Sequence, residues 1–398
     1  MVRLSVRSAV YLSELGRIHM KASALVGGCA LAALALSAAE VGATDVGATE
    51  SDLCFRQRNL VANRTGFNAQ VVDSNLVNSW GIQASAGDLL WVADNGTGVV
   101  TVYQTNGQPV GSPQLIIDIP AAVESSMSAP TGLVLNKTSS FAVPGNFDLS
   151  ALFLTCSEDG AVSAWNPFVD LTEARIVIDN SRKSAVYKGL AIGHSAQTGR
   201  DFLYLANFVS GKVEWYNGRY QFLDSFTDDC ISSTTEPCSP GVPATQNSQF
   251  APFNVEVIKG QVYVSFALRE PGGIDNEPDN GFIDVFSLTG RFIRRFASEG
   301  PLNAPWAMVR APRRLGRFSE TLLVGNFGDG HISSFDFDSG EFIDQLQRCT
   351  DGGSEPLVID GLWGLTFPPA PGPNPSLFFA SGPNDEADGL VGRLRQIR

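Results

Sequence analysis

Oxygen-bearing side chains recur at the ends of apolar segments throughout this sequence of 398 residues. Five of them form one candidate set of metal ligands: Asn95, Glu158, Asn207, Asn254 and Asn326. Calcium binds six to eight oxygen atoms from carboxylates, amides and carbonyls, and these residue types supply them. A bound Ca2+ ion would polarise a carbonyl group or activate water. The alternative is that an asparagine after a strand only forms a turn and caps the local backbone.

A second set combines aromatic rings with polar groups. It comprises Trp80, Lys188, Trp306, Trp363, Asn384 and Asp385. Aromatic surface beside a few polar groups is typical of a ligand pocket, so this set predicts a binding site. The alternative is that the three tryptophans only wedge neighbouring sheets apart. For Lys188, we expect an ion pair with Glu158 or Asp385 rather than work as a nucleophile.

Several common chemistries are absent from the sequence. His194 and His331 are the histidines outside the N-terminal segment, and neither belongs to a GxSxG or HExxH motif. No glycine-rich loop of the phosphate-binding type precedes a helical pattern. The net charge of -13 makes nucleic acid an unlikely partner, because its phosphates are themselves negative.

The elements that must position these residues form an internal repeat. Each unit opens with a small or amide residue before an aliphatic one, continues with an apolar strand, and turns through glycine into a strand that ends in an aromatic residue. The openings lie at positions 81, 132, 189, 254, 307 and 364, roughly 50–65 residues apart. A fourth short apolar strand follows in most units. This pattern predicts an all-β, six-bladed β-propeller with four-stranded blades.

The two ends of the propeller are expected to meet. The sixth unit has no fourth strand of its own, whereas residues 55–61 form a strand with no partner in the first unit. We predict that this N-terminal strand completes the last blade and covers its edge. A single domain then extends over residues 55–398. The first strand of each unit lines the central channel, so the residues just before the first strands and just after the second strands are expected to converge on one mouth of that channel.

The N-terminus carries the pattern of an export signal. A lysine precedes the apolar run Cys29–Leu36, and small residues follow it, so residues 1–43 are predicted to be a secretory signal peptide. A signal peptide that begins at Met20 would also be complete, and in that case translation starts at Met20 rather than at Met1. Residues 44–54 form a short linker. No second apolar run is long enough to span a bilayer, so we expect a secreted or periplasmic mature chain; lipid attachment at Cys29 is an alternative.

Cysteine spacing predicts disulfides in an exported protein. Cys230 and Cys238 flank a short polar loop and are expected to form a local disulfide. Cys54 lies just before the fold and Cys349 just after a late strand, so a bridge between them would clamp the N-terminus. Cys156 lies within an apolar strand, where a buried free thiol is expected.

Several short motifs stand out in the sequence, at residues 59–63, 76–81, 91–98, 158–160, 165–167, 186–190, 251–254, 300–306, 323–330, 359–364 and 382–386. Together they resemble an uncharacterised family of secreted bacterial β-propellers, distantly similar to NHL-repeat propellers. Some members of that family carry a C-terminal membrane-sorting tail, which is absent from this sequence. The resemblance implies a propeller fold and export, and it implies no particular activity.

These observations favour an extracytoplasmic binding or scaffold protein that uses the channel mouth. Its partner would be a small molecule, a glycan or an envelope protein, and the protein itself is expected to be a monomer. The alternative is a calcium-dependent hydrolase, similar to propeller lactonases and esterases, with the same mouth as its active site.

Overall fold

Strands make up nearly all of the regular structure in the computed structural model, which describes residues 54–123, 126–145, 149–228, 250–270, 273–274, 280–298 and 300–397. The predicted signal peptide, the linker before residue 54 and the Cys230–Cys238 loop lie outside these ranges. The first described elements are β1 (Cys54–Ala62) and β2 (Val71–Val72). Two 3₁₀ helices occur in the described ranges, Ser181–Lys183 and Gly316–Phe318. No helix in these ranges is long and apolar enough to cross a bilayer.

Five blades follow along the chain, each an antiparallel sheet of four main strands in sequence order. The first contains β3 (Ser79–Ser85), β4 (Leu89–Asp94), β5 (Val99–Gln104) and β6 (Ile116–Asp118). The second contains β7 (Pro130–Leu135), β8 (Phe153–Ser157), β9 (Ala161–Trp165) and β10 (Arg175–Asp179). The third contains β11 (Tyr187–Ser195), β12 (Arg200–Asn207), β13 (Lys212–Asn217) and β14 (Phe222–Phe226).

The fourth and fifth blades continue the same order. The fourth contains β15 (Phe250–Ile258), β16 (Gln261–Glu270), β18 (Phe282–Phe286) and β19 (Phe292–Ser298), with the two-residue β17 (Gly273–Ile274) paired to the end of β16. The fifth contains β20 (Pro305–Arg310), β21 (Leu322–Asn326), β22 (Ile332–Phe335) and β23 (Phe342–Gln345).

The remaining sheet departs from the predicted fold and corrects it. It consists of β24 (Gln347–Thr350), β25 (Gly353–Pro356), β26 (Leu362–Thr366), β27 (Ser376–Ser381) and β28 (Leu390–Ile397), together with β1 and β2. The prediction of six four-stranded blades is therefore wrong: the structure has five four-stranded blades and one seven-stranded closing sheet. The extra strands arise because β24 joins the outer edge of β1 in parallel and β25 folds back on β24.

The closing sheet joins the two ends of the described chain. β1 pairs antiparallel with β28 from Cys54 opposite Ile397 to Ala62 opposite Leu390. A disulfide between Cys54 and Cys349 fixes the beginning of β1 to β24 across 295 positions of sequence. The predicted pairing of residues 55–61 with the C-terminal strand is present, and the structure contains the Cys54–Cys349 bridge, a pairing that the sequence leaves open. Cys156 is a buried free thiol, as expected, and burial raises the pKa of its thiol to about 11.

The first strands of the sheets stand side by side around a central channel, with β3 between β26 and β7 and the others following in order. Their repeated opening residue explains this close approach. A Cβ atom on Gly81 would lie 2.6 Å from the backbone nitrogen of Leu133, and one on Gly132 would lie 2.9 Å from that of Leu190. A larger residue at either position would force the inner strands apart. The repeat signature therefore reflects backbone contact between neighbouring sheets.

Candidate ligand site at the channel mouth

The mouth of the channel is built by one hydrogen bond that recurs around the ring. The residue after a second strand donates its backbone N–H to a carbonyl that precedes the first strand of the same sheet. The recurring pairs are Asn95 to Asn78, Glu158 to Ala129, Phe208 to Val186, Phe327 to Ala304, and Gly382 to Gly361. Because the same bond forms in five sheets, the starts of the first strands and the ends of the second strands lie at one end of the channel.

A charged cluster occupies this opening. Lys188 Nζ donates a hydrogen bond of 2.5 Å to Oε1 of Glu158, while Oε2 of Glu158 accepts one of 3.1 Å from Asn95. The lysine side chain is 12% exposed and its carboxylate partner 32% exposed, so the pair lies at the boundary between protein and solvent. The predicted ion pair between Lys188 and Glu158 is therefore present. We call Lys188, Glu158, Asn95 and Glu386 the mouth cluster.

Glu386 belongs to the segment 384–386, which the repeat pattern places at this mouth, although neither candidate set from the sequence includes it. Burial raises the pKa of its carboxyl group, the negative charge of Glu158 raises that pKa further, and Lys188 and a hydrogen bond from Asn78 lower it. Two neighbouring carboxyl groups and one ammonium group thus share a partly dehydrated site. Such an arrangement holds hydrogen-bond donors and acceptors in fixed positions, which is what recognition of a polar ligand needs.

The backbone that presents Glu386 is strained. Asn384, Asp385 and Glu386 are consecutive residues in the left-handed region, with φ values of 58°, 54° and 65°. A residue with a Cβ atom in this conformation costs about 1–2 kcal/mol, and asparagine and aspartate tolerate it better than glutamate does. Strain of this kind clusters at functional sites, where the surrounding structure maintains it. An amino-acid sequence carries little signal for it, because glutamate rarely adopts this conformation.

An aromatic floor closes the channel beneath the mouth cluster. The Trp80 and Trp363 rings stack with their centroids 3.6 Å apart, and Phe327 stacks on the other face of Trp363 at 4.0 Å. Trp306 contacts both tryptophans edge to face, at 6.2 and 5.9 Å. Trp80, Trp306 and Trp363 are 2%, 5% and 0% exposed. The rings pack mainly against one another, and both faces of Trp363 are covered.

Hydrogen bonds fix the orientation of this floor. Asn78 Oδ1 accepts the indole N–H of Trp80 at 3.0 Å and that of Trp363 at 3.1 Å. The Trp306 indole donates to the backbone oxygen of Lys188 at 2.9 Å. In turn, Lys188 Nζ lies 4.9 Å above the centroid of the Trp80 ring, within the range of a cation–π interaction. The floor and the mouth cluster are thus one connected assembly.

Of the five residues predicted to bind calcium, Asn95 and Glu158 are in contact. The amide nitrogens of the other three donate to protein groups, and the calcium site stays a prediction. Asn207 Nδ2 donates to Glu214, Asn254 Nδ2 donates to the Trp306 carbonyl, and Asn326 Nδ2 donates to the Pro301 carbonyl. Within the described ranges, no group of three or more His, Cys, Asp or Glu side chains is arranged to hold a metal ion.

The remaining predicted ligand residues lie around the rim. Asn384 donates to Asp388 Oδ2 at 2.6 Å, and Asp388 is also bound by Arg64, so Asn384 holds the rim loop to the chain after β1. The Asp385 side chain is exposed and adds negative charge beside Glu386. The acidic loop 275–279, which the repeat pattern also assigns to this mouth, and Cys230 with Cys238 lie outside the described residues.

The channel below the floor is narrow. Its cavity of about 20 Å³ is lined by residues of the inner strands, including Gln83, Glu256 and Met308. Burial raises the pKa of Glu256 to about 8. Because the cavity has room for little more than one water molecule, a ligand at the mouth must bind above the tryptophans.

Comparison with known proteins gives relatives in sequence and in fold. No family model matches the chain. "Uncharacterized protein R648" of Acanthamoeba polyphaga mimivirus is 34% identical, over 84% of this chain and 78% of the relative. "Uncharacterized protein L690" of the same virus is 33% identical, over 84% of each chain. The bacterial origin implied by the resemblance described above stays a prediction.

Solved structures with a similar fold have little sequence in common with this chain. A streptogramin B lyase is 11% identical with a TM-score of 0.46, over 87% of this chain and 98% of that one. A glucose dehydrogenase is 13% identical with a TM-score of 0.46, over 80% of this chain and 96% of that one.

Proposed function

The chain belongs to the family of the mimivirus proteins R648 and L690, and we propose that it is an extracytoplasmic binding propeller whose ligand docks on the mouth cluster. The ligand class that fits this cluster is a small hydroxyl-rich molecule, such as the end of a neutral glycan.

The observation that carries this proposal is the position of Lys188 between Glu158 and the aromatic floor, with Glu386 nearby. An ammonium group has three N–H donors, and the bond to Glu158 uses one of them. The two carboxyl groups accept hydrogen bonds from hydroxyl groups. Neighbouring donors and acceptors of this kind match a polyol, while the excess of carboxyl groups disfavours an anionic ligand.

Two features support a location outside the cytoplasm. The Cys54–Cys349 disulfide is of the kind that persists in oxidising compartments. The sequence before residue 44 has the order of a secretory signal. Both fit a protein that meets its ligand after export.

Calorimetric titration of a panel of neutral oligosaccharides tests the proposal. We expect Glu386→Gln and Lys188→Met each to weaken binding by tenfold or more, because each removes a polar contact at the site. The matched control is Glu341→Gln, which removes the same charge from an exposed hairpin outside the mouth. Binding that is unchanged in both mouth variants would exclude this site.

The alternative is a calcium-dependent hydrolase at the same mouth, and the contact between Asn95 and Glu158 favours it. A Ca2+ ion bound there would compete with Lys188 for the Glu158 carboxylate. Calcium titration of the wild type and of Glu158→Ala separates the two functions. A calcium-induced rise in Tm that Glu158→Ala abolishes, together with turnover of a lactone or ester, would favour the hydrolase over the binding protein.

A further inference from the structure

Four arginines share one face of the closing sheet. In the register of β1 and β28, Arg56 lies opposite Arg395 and Arg58 lies opposite Arg393. Alternate residues of a strand point to the same side, so all four side chains project from one face. Opposite residues are about 5 Å apart between Cβ atoms, and alternate residues along a strand are about 7 Å apart. We call Arg56, Arg58, Arg393 and Arg395 the arginine quartet.

Among the residues that the structure describes, none forms an ion pair with an arginine of the quartet. The ion pairs of the described chain use other arginines, and the nearby Arg348 of the same sheet is paired with Glu355. The pKa of Arg393 is lowered by burial and by the positive charges of Arg395 and Arg58. Like charges directly opposite each other destabilise a sheet. In a chain with 41 acidic residues and a net charge of -13, an uncompensated basic face indicates a role other than folding.

A cleft of about 420 Å³ opens beside the quartet, between the closing sheet and the first blade. Arg393 and Arg395 line one part of it, and the proline-rich segment 368–375 lines another. Asp88 and Thr105 of the first blade complete the lining, so one carboxyl group faces the cleft with the arginines. The volume is within the range of ligand sites, and proline fixes its own backbone φ angle, which limits the entropy lost when a ligand binds.

We propose that the arginine quartet and its cleft bind a linear polysaccharide that carries sulfate or carboxylate groups. Guanidinium groups bind such oxyanions through paired N–H donors, and four arginines whose Cβ atoms lie about 5–7 Å apart favour a ligand with several charges. Asp88 and Thr105 can accept hydrogen bonds from the sugar hydroxyls. A polysaccharide chain is narrow enough to contact this basic face alone. Duplex DNA or an anionic membrane would also lie near the surrounding acidic surface, which repels it. This site is separate from the mouth cluster and takes the opposite class of ligand.

The test measures binding of heparin oligosaccharides and of oligogalacturonate by calorimetry at low and moderate NaCl. Because oligogalacturonate carries carboxylates and no sulfate, comparing the two glycans shows whether recognition requires sulfate. We expect the double substitution Arg58→Gln and Arg393→Gln to weaken binding at least tenfold. The matched control, Arg219→Gln with Arg291→Gln, makes the same charge change at exposed positions on other sheets and should retain wild-type affinity. Relief of repulsion should leave the quartet variant at least as stable to urea as the wild type, which shows that it folds.

Two results would overturn the proposal. One is the absence of binding to either glycan at low salt, or equal loss of binding in the quartet and control variants. The other is tighter binding to duplex DNA or to anionic vesicles than to the glycans, which would assign the face to a different class of partner.

Discussion

Lys188 and Glu158 come from different blades and meet at the channel mouth, where Nζ and Oε1 lie 2.5 Å apart. Lys188 is the second residue of β11 and Glu158 follows β8, so their bond joins the third blade to the second. The same ammonium group lies over the Trp80 ring of the first blade. One lysine thus connects three blades and holds the polar groups of the mouth above the aromatic floor.

Replacing Lys188 with methionine should destabilise the protein by about 1–3 kcal/mol, because the Glu158 carboxylate loses a charge-assisted hydrogen bond in a partly dehydrated site. Urea unfolding at pH 7 measures this loss. Lys137→Met, at an exposed position, is the control and should change stability by less than about 0.5 kcal/mol. A double-mutant cycle with Glu158→Gln isolates the pair, and a coupling energy near zero would contradict the assigned bond.

The positions of these residues show what the sequence alone predicts well. The repeat openings at Gly81, Gly132 and Gly189 predict the inner strands, because close backbone contact leaves a glycine requirement that recurs. The pairing of β1 with β28 follows from a strand without a partner at one end and a missing strand at the other. Both arise from strong and local constraints.

The features that the sequence does not predict depend on weaker or competing interactions. β24 and β25 are short and largely exposed, so no apolar alternation marks them, and they join the sheet through β1 and a disulfide. The sequence also does not show that the amide nitrogens of Asn207 and Asn326 donate to nearby protein groups. The left-handed backbone run that presents Glu386 is likewise unmarked in the sequence, because residue propensities do not favour it.

Asn78 should be a stability determinant of the aromatic floor. Its Oδ1 atom is the acceptor for two buried indole N–H groups, so Asn78→Ala should cost about 2–6 kcal/mol, at about 1–3 kcal/mol for each unsatisfied donor. Urea unfolding followed by tryptophan fluorescence measures the loss. Asn78 has a φ of 47°, and Asn78→Gly is the control that removes the acceptor without adding left-handed strain. Wild-type stability in the glycine variant would show that the two indole bonds contribute nothing.

The Cys54–Cys349 disulfide should hold the closing sheet together. It encloses 295 positions, and a loop of this length predicts a stabilisation of up to about 5 kcal/mol from restriction of the unfolded chain. We expect the double substitution Cys54→Ser and Cys349→Ser to lower Tm. It should also increase the rate of amide hydrogen exchange in β1 and β24 more than in the five blades. Cys156→Ser, at the buried free thiol, is a comparison that leaves the bridge intact. Uniform exchange across all sheets would contradict a local clamp.

Glu256 should make stability fall as pH rises. Its folded-state pKa is raised to about 8 from an ordinary value of 4.5, so the folded protein retains a proton that the unfolded chain releases between these two values. The contribution of this group to the free energy of unfolding is therefore constant below pH 4.5, falls between pH 4.5 and 8, and is constant again above pH 8. The limiting slope is about 1.4 kcal/mol per pH unit.

Glu256→Gln should remove this fall. The free energy of unfolding of the variant, measured relative to that of the wild type, should therefore be higher at pH 8.5 than at pH 4.5. The buried Asp284, whose pKa is also raised to about 8 by burial, contributes a fall of its own that the variant retains. Urea midpoints from pH 4.5 to 9 measure the difference, and Glu341→Gln serves as the exposed control. Parallel pH profiles for Glu256→Gln and the wild type would show that the channel carboxyl group titrates normally.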